Sequence, residues 1–268
     1  MRLRTLLLRS AAQSKYVLLG GIVVLSLFQF LLIAQAAEIE RSNAFGRMAE
    51  FVPAFLQRGL GQQALLLATF KGTVSFGYFH PVIVCLLSLI AIYIATEPAH
   101  EVESGLVDLV LARSVPRHRL ITRSLLLAMG SVAAITGFML CGTFIGLRWL
   151  APEIESVTFR LIGRLAVNLV AVAWCCGAIG VFLAALSRRW TTAFTTGALI
   201  VIVGYLIDFL ALGWPPARAL SWFFPFQYFP ALLILGGTAA PWRDLVVLSS
   251  ATAGFAVLAY WRFEKRDL

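Results

Sequence analysis

Few side chains in this chain of 268 residues could do chemistry, and their spacing narrows what that chemistry is. His80, His100 and His118 have no metal-ligand spacing, and none pairs at membrane depth, so neither a zinc nor a haem site is expected. Cys85, Cys141, Cys175 and Cys176 all fall inside apolar segments, where they read as small buried hydrophobes and not as a disulfide framework. Asp208, in Tyr205-Leu-Ile-Asp208-Phe-Leu, is the acid placed inside an apolar span. Burying its charge is costly, which makes it a candidate for a transport pathway or proton role; against that, it lies toward the span's outer end, within reach of water. The densest group of charges is 97–119. Glu97, Glu101, Glu103 and Asp108 come first, and Arg113, Arg117 and Arg119 follow. That order complements the dipole of a helix beginning near Pro98 and stopping near Pro116, with Leu106, Leu109 and Val110 on one packing face.

The elements that carry these residues are membrane spans. Hydrophobic residues make up 60% of the chain and charged ones 13%, too apolar a mixture for a wetted globular surface. Six stretches, at roughly 16–37, 78–96, 121–147, 162–187, 190–212 and 241–261, are long enough to cross a hydrocarbon core of about 30 Å as helices. The fold class is therefore an all-α integral membrane protein with six transmembrane helices, and the whole of 1–268 forms one transmembrane domain. An even number of spans puts both termini on one side. Arg188 and Arg189 in a short loop, and Arg262, Lys265 and Arg266 in the tail, make that side the cytoplasm, and of the 22 basic residues 13 then lie inside against 9 outside, a modest bias. The net charge of +9 is scattered between spans with no aromatic-interleaved basic run, so nucleic acid is not an expected partner.

At the N-terminus, residues 1–15 are expected as an interfacial helix, with Leu3, Leu6 and Leu7 on one face and Arg2, Arg4 and Arg9 supplying charge; a basic tail that only sets topology is the alternative. The run that follows is too long for a signal-peptide core, despite Ala34-Gln35-Ala36 imitating a cleavage site, and reads as an uncleaved anchor. Residues 38–77 form an external segment. Residues 213–240 carry Trp214, Pro215, Pro216, Pro225 and Pro230, which break an aromatic, apolar stretch into an external or re-entrant element before the last span; an interfacial loop with an aromatic belt is the other reading. Gly142 with Gly146, and Gly177 with Gly180, fit small-residue helix packing within one subunit, and Gln29 and Asn168 fit interhelical hydrogen bonding.

With these residues in place, the chain resembles the ABC-2-type exporter permeases, whose loop after the second span reads as an acidic pair, a glycine, a leucine-rich turn and then Pro-x-Arg. Glu101 and Glu103 match the acids, Gly105 the glycine, Asp108, Leu109 and Leu111 the turn, and Pro116 and Arg117 the basic exit. Pro53 to Gly61, Leu220 to Tyr228 and the ending Arg266-Asp267-Leu268 are similar to further stretches of that family. The junction Ala95-Thr96-Glu97-Pro98 departs from it, since small residues without proline are usual there.

The resemblance implies a coupling helix in 97–119 that seats in a groove of an ABC ATPase subunit, with Glu101, Glu103, Gly105, Leu106, Asp108, Leu109, Arg113, Pro116 and Arg117 as the coupling residues. It implies export across the cytoplasmic membrane of a bacterium, with two permease copies, a homodimer in the simplest case, and two ATPases. The sequence holds no GxxxxGK[ST] loop, so no cofactor is expected on this chain, no enzyme activity of its own, and ATP and Mg on the partner. A secondary transporter or channel using Asp208 is the competing reading. An intramembrane enzyme would need a nucleophile with a base, or a carboxylate pair at depth, and no such set is evident.

Overall fold

The fold is seen in a computed structural model that describes residues 3–42, 66–105, 116, 118–152, 157–237 and 242–265. Six long apolar helical segments are present among the described residues, in the number and order expected from hydropathy. Helix α1 (Leu3–Arg41) is followed by α2 (Phe70–Phe79), α3 (Pro81–Ala95) and α4 (Glu97–Glu103), then α5 (His118–Leu150), α6 (Phe159–Leu186) and α7 (Trp190–Ala211). Short helices α8 (Pro215–Ser221) and α9 (Ala231–Leu235) flank a 3-10 turn at Pro225–Tyr228, and α10 (Trp242–Glu264) closes the chain. No strand occurs among the described residues.

Burial ranks the helices. In the most apolar window of α6, 67% of residues are buried inside the chain, against 22% for α1 and α7 and 17% for α10, so α6 is central and the others ring it. Small residues let it sit there. A methyl group added at Gly177 would touch Ala91 and Ala128, and one at Gly180 would press on Ala95 and Ile92, so this pair packs α6 against α3. Gly142 and Gly146 likewise receive Ser26, Phe30 and Ile33 of α1, so both glycine pairs work inside one subunit. Polar bonds between helices supplement the packing: Trp174 Nε1 donates to the Met129 carbonyl at 3.0 Å, Tyr78 and Thr143 hydroxyls meet at 2.7 Å, and Thr122 and Tyr260 hydroxyls at 2.8 Å.

Four boundaries and bonds differ from the sequence reading. Residues 3–15 are helical, with Leu6 buried and Arg9 exposed, but they continue into the first span as one helix and do not form a separate interfacial element. No proline or turn residue lies between them and Tyr16 to stop the ladder. The second span starts earlier, at Phe70, and is broken at His80, so 70–77 belong to α2 and not to the external segment. The cause is Pro81, which lacks an N–H and excludes the helical region for its predecessor; His80 adopts φ −57° and ψ 131°, and its Nδ1 accepts from the Val82 N–H at 3.2 Å. Asn168 does not bridge helices, since its Nδ2 donates to the Arg164 carbonyl of its own helix at 2.9 Å. Gln29 does bridge them: its Nε2 donates to the Val74 carbonyl at 2.9 Å, joining α1 to α2.

The fourth difference concerns the loop after the second span. Its described helix, α4, ends at Glu103 and does not run to Pro116. Gly105 takes φ +69°, a left-handed conformation that ends a helix at little cost only for glycine, and the Ser104 hydroxyl donates back to the His100 carbonyl at 2.8 Å. Between α7 and α10 the prolines break the chain as expected: α8, the 3-10 turn and α9 fold back onto the bundle, with Phe226, Ile234 and Leu235 buried and the Phe224 ring lying over Gly204.

Candidate functional site

Helix α4 is seven residues long, yet it is fixed to three spans. Its start is set by Pro98 in the first turn, where the missing N–H costs nothing, and by Glu97, whose charge suits the positive end of the helix. Glu101 follows Glu97 by four positions, which places both carboxylates on the same face. That face meets Arg123, one turn into α5.

The Glu101 carboxylate accepts from Arg123 Nη1 at 2.8 Å and from Nη2 at 2.9 Å, a two-pronged pairing that fixes both planes. Both side chains are withdrawn from the surface: Arg123 is 2% exposed and Glu101 9%. Glu97 stands 3.7 Å from Arg123 Nη2 without a hydrogen bond to it. A buried guanidinium needs this company, because an unpaired charge at that depth would cost several kcal/mol.

The second fixture is to α7. Glu103 Oε2 accepts the Trp190 backbone N–H at 2.8 Å, taking up a donor at a helix start that has no partner within its own helix. The third is apolar. Ala99 is fully buried against Ala184 at the end of α6 and Ala193 in the first turn of α7, a contact close enough only for small side chains. Trp190 covers the same junction, stacked on Phe194 with ring centroids 5.3 Å apart and edge-on to Tyr93 and His100. A force applied to α4 therefore reaches α5 through an ion pair, α7 through a cap, and α6 through methyl contacts.

Of the residues expected from sequence, Glu101, Glu103, Gly105 and Pro116 are described; Leu106, Asp108, Leu109, Arg113 and Arg117 lie outside the described residues, as do Pro53 to Gly61 and the last three residues. Glu101 points into the bundle and Glu103 to the α7 terminus, so the acidic pair holds α4 in place from within. Ser104 and Gly105 are exposed beyond them. Sequence reading missed Arg123, Glu97 and Trp190 as parts of this site. The signal was there for the first two: an arginine two residues into an apolar span requires a partner, and the acids four apart supply it.

Asp208 is half-buried on α7 near the opposite end, and its carboxylate forms no ion pair with another described residue. No group of three His, Cys, Asp or Glu side chains gathers at metal-binding distance among the described residues.

Compared with known families, residues 42–264 match the one described as multidrug efflux system permease Rv1217c, C-terminal domain, a stretch that begins at the end of α1 and includes every later helix. No curated protein matches the chain.

Proposed function

Because the chain belongs to this multidrug efflux permease family, we propose that it is the membrane-spanning subunit of an ATP-driven ABC exporter of the ABC-2 type. In this reading two copies pair with two ATPase subunits, which bind the ATP and Mg. Both termini and α4 face the cytoplasm, and the chain has no catalytic site of its own. The observation that carries the reading is the fixing of α4 to α5, α6 and α7 by the Glu101–Arg123 pair, the Glu103 cap and the alanine contact. A short helix joined to three spans moves them together when a partner pushes on it, and the exposed Ser104–Gly105 turn gives that partner a place to press.

The test uses Gly105→Val in the complex with the ATPase. A β-branched side chain cannot hold φ +69° without strain, so the turn must change shape. The complex should still form, while export and stimulation of ATP hydrolysis by the permease should both fall. Failure of any ATPase to co-purify with the wild-type chain, together with full transport by Gly105→Val, would remove the proposal. Asp208→Asn separates it from the secondary-transport reading: ATP-driven export should survive that change, whereas loss of transport with sensitivity to a proton uncoupler would favour a proton-coupled carrier.

A further inference from the structure

Helix α3 is covered by the bundle on every side but one. Most of its residues are buried, whereas Val82, Cys85, Leu86, Leu89 and Tyr93 keep part of their surface open. Spaced by three and four positions, these five form one stripe along the helix. Ile90 and Ile92 lie to either side of that stripe. A methyl added at Gly21 of α1 would come within 3.1 Å of Ile90, and one at Gly197 of α7 within 2.8 Å of Ile92. Helices α1 and α7 are thus the two banks of a furrow whose floor is α3.

The two ends of the furrow differ. At the α4 end it opens into a cleft of about 330 Å³, walled by Gln13 and Ser14 of α1, Tyr93 of α3, His100 of α4 and Trp190 of α7. At the other end, just past Val82, the rings of Phe28 and Phe76 pack against His80 with centroids 5.3 and 4.9 Å away, at the break in the second span. From Tyr93 to Val82 the floor rises about 16 Å, close to half of a hydrocarbon core of about 30 Å. The furrow is therefore as deep as one leaflet. A helix from a second copy would run the full membrane width and meet the ring cluster halfway.

Polarity is confined to the cleft end. Exposed basic residues border it: Arg9, one helical turn before Gln13, Lys15 beside Ser14, and Arg188 and Arg189 just before Trp190. The acids nearby are already engaged, since Glu97 and Glu101 face Arg123 and Glu103 accepts the Trp190 N–H. Tyr93 and Trp190, whose rings meet edge to face at 5.8 Å, suit the headgroup level, where amphipathic aromatics gather. A basic, hydrogen-bonding mouth above an apolar channel one leaflet deep matches a molecule with an anionic head and an acyl chain.

From this match we propose that the α1–α3–α7 furrow is a binding site for an anionic phospholipid of the leaflet on the α4 side, which is the inner leaflet in the reading above. Its headgroup sits in the cleft, and an acyl chain lies along Leu89, Leu86, Cys85 and Val82. The lipid is a resident of the fold, and its binding does not depend on transport.

The experiment titrates the detergent-purified full-length chain with phosphatidylglycerol or with phosphatidylcholine of the same acyl chains, and reads the lipid retained per chain by native mass spectrometry. Phosphatidylglycerol should fill a saturable site and bind about fivefold or more tightly than phosphatidylcholine. Leu89→Trp, which fills the floor of the furrow, should weaken it about tenfold. Val257→Trp, at an exposed position on α10, should leave it unchanged. Arg189→Gln, at an exposed position bordering the cleft, should cost about fivefold and keeps the test open if the Leu89 variant does not fold. Equal affinity for the two lipids, unchanged affinity in Arg189→Gln, or equal effects of Leu89→Trp and Val257→Trp would overturn the proposal. So would Leu86→Cys, in a chain otherwise without cysteine, joining two chains through a short bismaleimide in native membranes, because a second copy would then occupy the furrow.

Discussion

Replacing Glu101 with glutamine should be far more damaging than the loss of one exposed charge. The change leaves Arg123, 2% exposed, without its carboxylate. Of the two charge-assisted hydrogen bonds at 2.8 and 2.9 Å, each worth about 1.5–3 kcal/mol, the amide oxygen can keep one, while the amide NH2 turns a donor toward the other Arg123 N–H and the neutralising charge is gone. Glu97, already 3.7 Å from Nη2, recovers part of that by moving closer. Single deletion from a buried pair costs about 3–5 kcal/mol, and with Glu97 as substitute partner the lower end, about 3 kcal/mol, is expected. For a chain of this size that lowers the melting temperature by about 6–12 °C. Thermal unfolding in nanodiscs would measure it across a cycle of Glu101→Leu, Arg123→Met and the double variant. The double variant removes both charges together and should lie within about 1 kcal/mol of wild type once Glu97→Gln is also present. A Glu101→Gln shift under about 1 kcal/mol, or strictly additive single changes, would refute the claim that this pair fastens α4 to α5.

Gly77→Ala should destabilise the protein by about 1–3 kcal/mol, because the new methyl would overlap Gln29 Oε1 while Gln29 is held by the Val74 carbonyl; a melting curve checks it, and combining it with Gln29→Ala should recover part of the loss. Glu103→Ala should cost about 1 kcal/mol by uncapping α7, with faster hydrogen exchange at the Trp190 amide than elsewhere in that helix, and unchanged exchange there would argue against the cap. Pro81→Ala should let α2 and α3 join into one helix, seen as protection of the amide at position 81, and its failure would mean that packing and not the proline breaks the span at His80.

Hydropathy revealed the six spans because lipid demands long apolar helices, and that demand is written directly in residue type. The prolines of 213–240 likewise announced a broken element, and the paired glycines announced close helix contacts. Other features depended on partners that composition does not name. The break at His80 sits in an apolar run, so a hydropathy window passes over it even though Pro81 marks the spot. The joining of residues 3–15 to the first span reflects the absence of any stop signal, which is harder to notice than its presence. In the loop, residue types pointed to α4, but Glu101 looked like a surface acid until Arg123 met it from another helix. Trp190 carried no signal at all, since it enters the site through its backbone N–H and its place against Tyr93.

The central claim is that α4 lies on the cytoplasmic side and touches an ATPase. It is tested most directly by replacing the four native cysteines, introducing Ser104→Cys beyond α4 or Gly213→Cys beyond α7, both at exposed positions, and treating intact cells and inverted vesicles with a membrane-impermeant maleimide. The two positions stand at opposite ends of α7, whose 22 residues span about 33 Å. Ser104→Cys should react only in inverted vesicles and be shielded there when the ATPase is bound, while Gly213→Cys should react only on intact cells. Labelling of Ser104→Cys from outside, or labelling indifferent to the ATPase, would contradict the account.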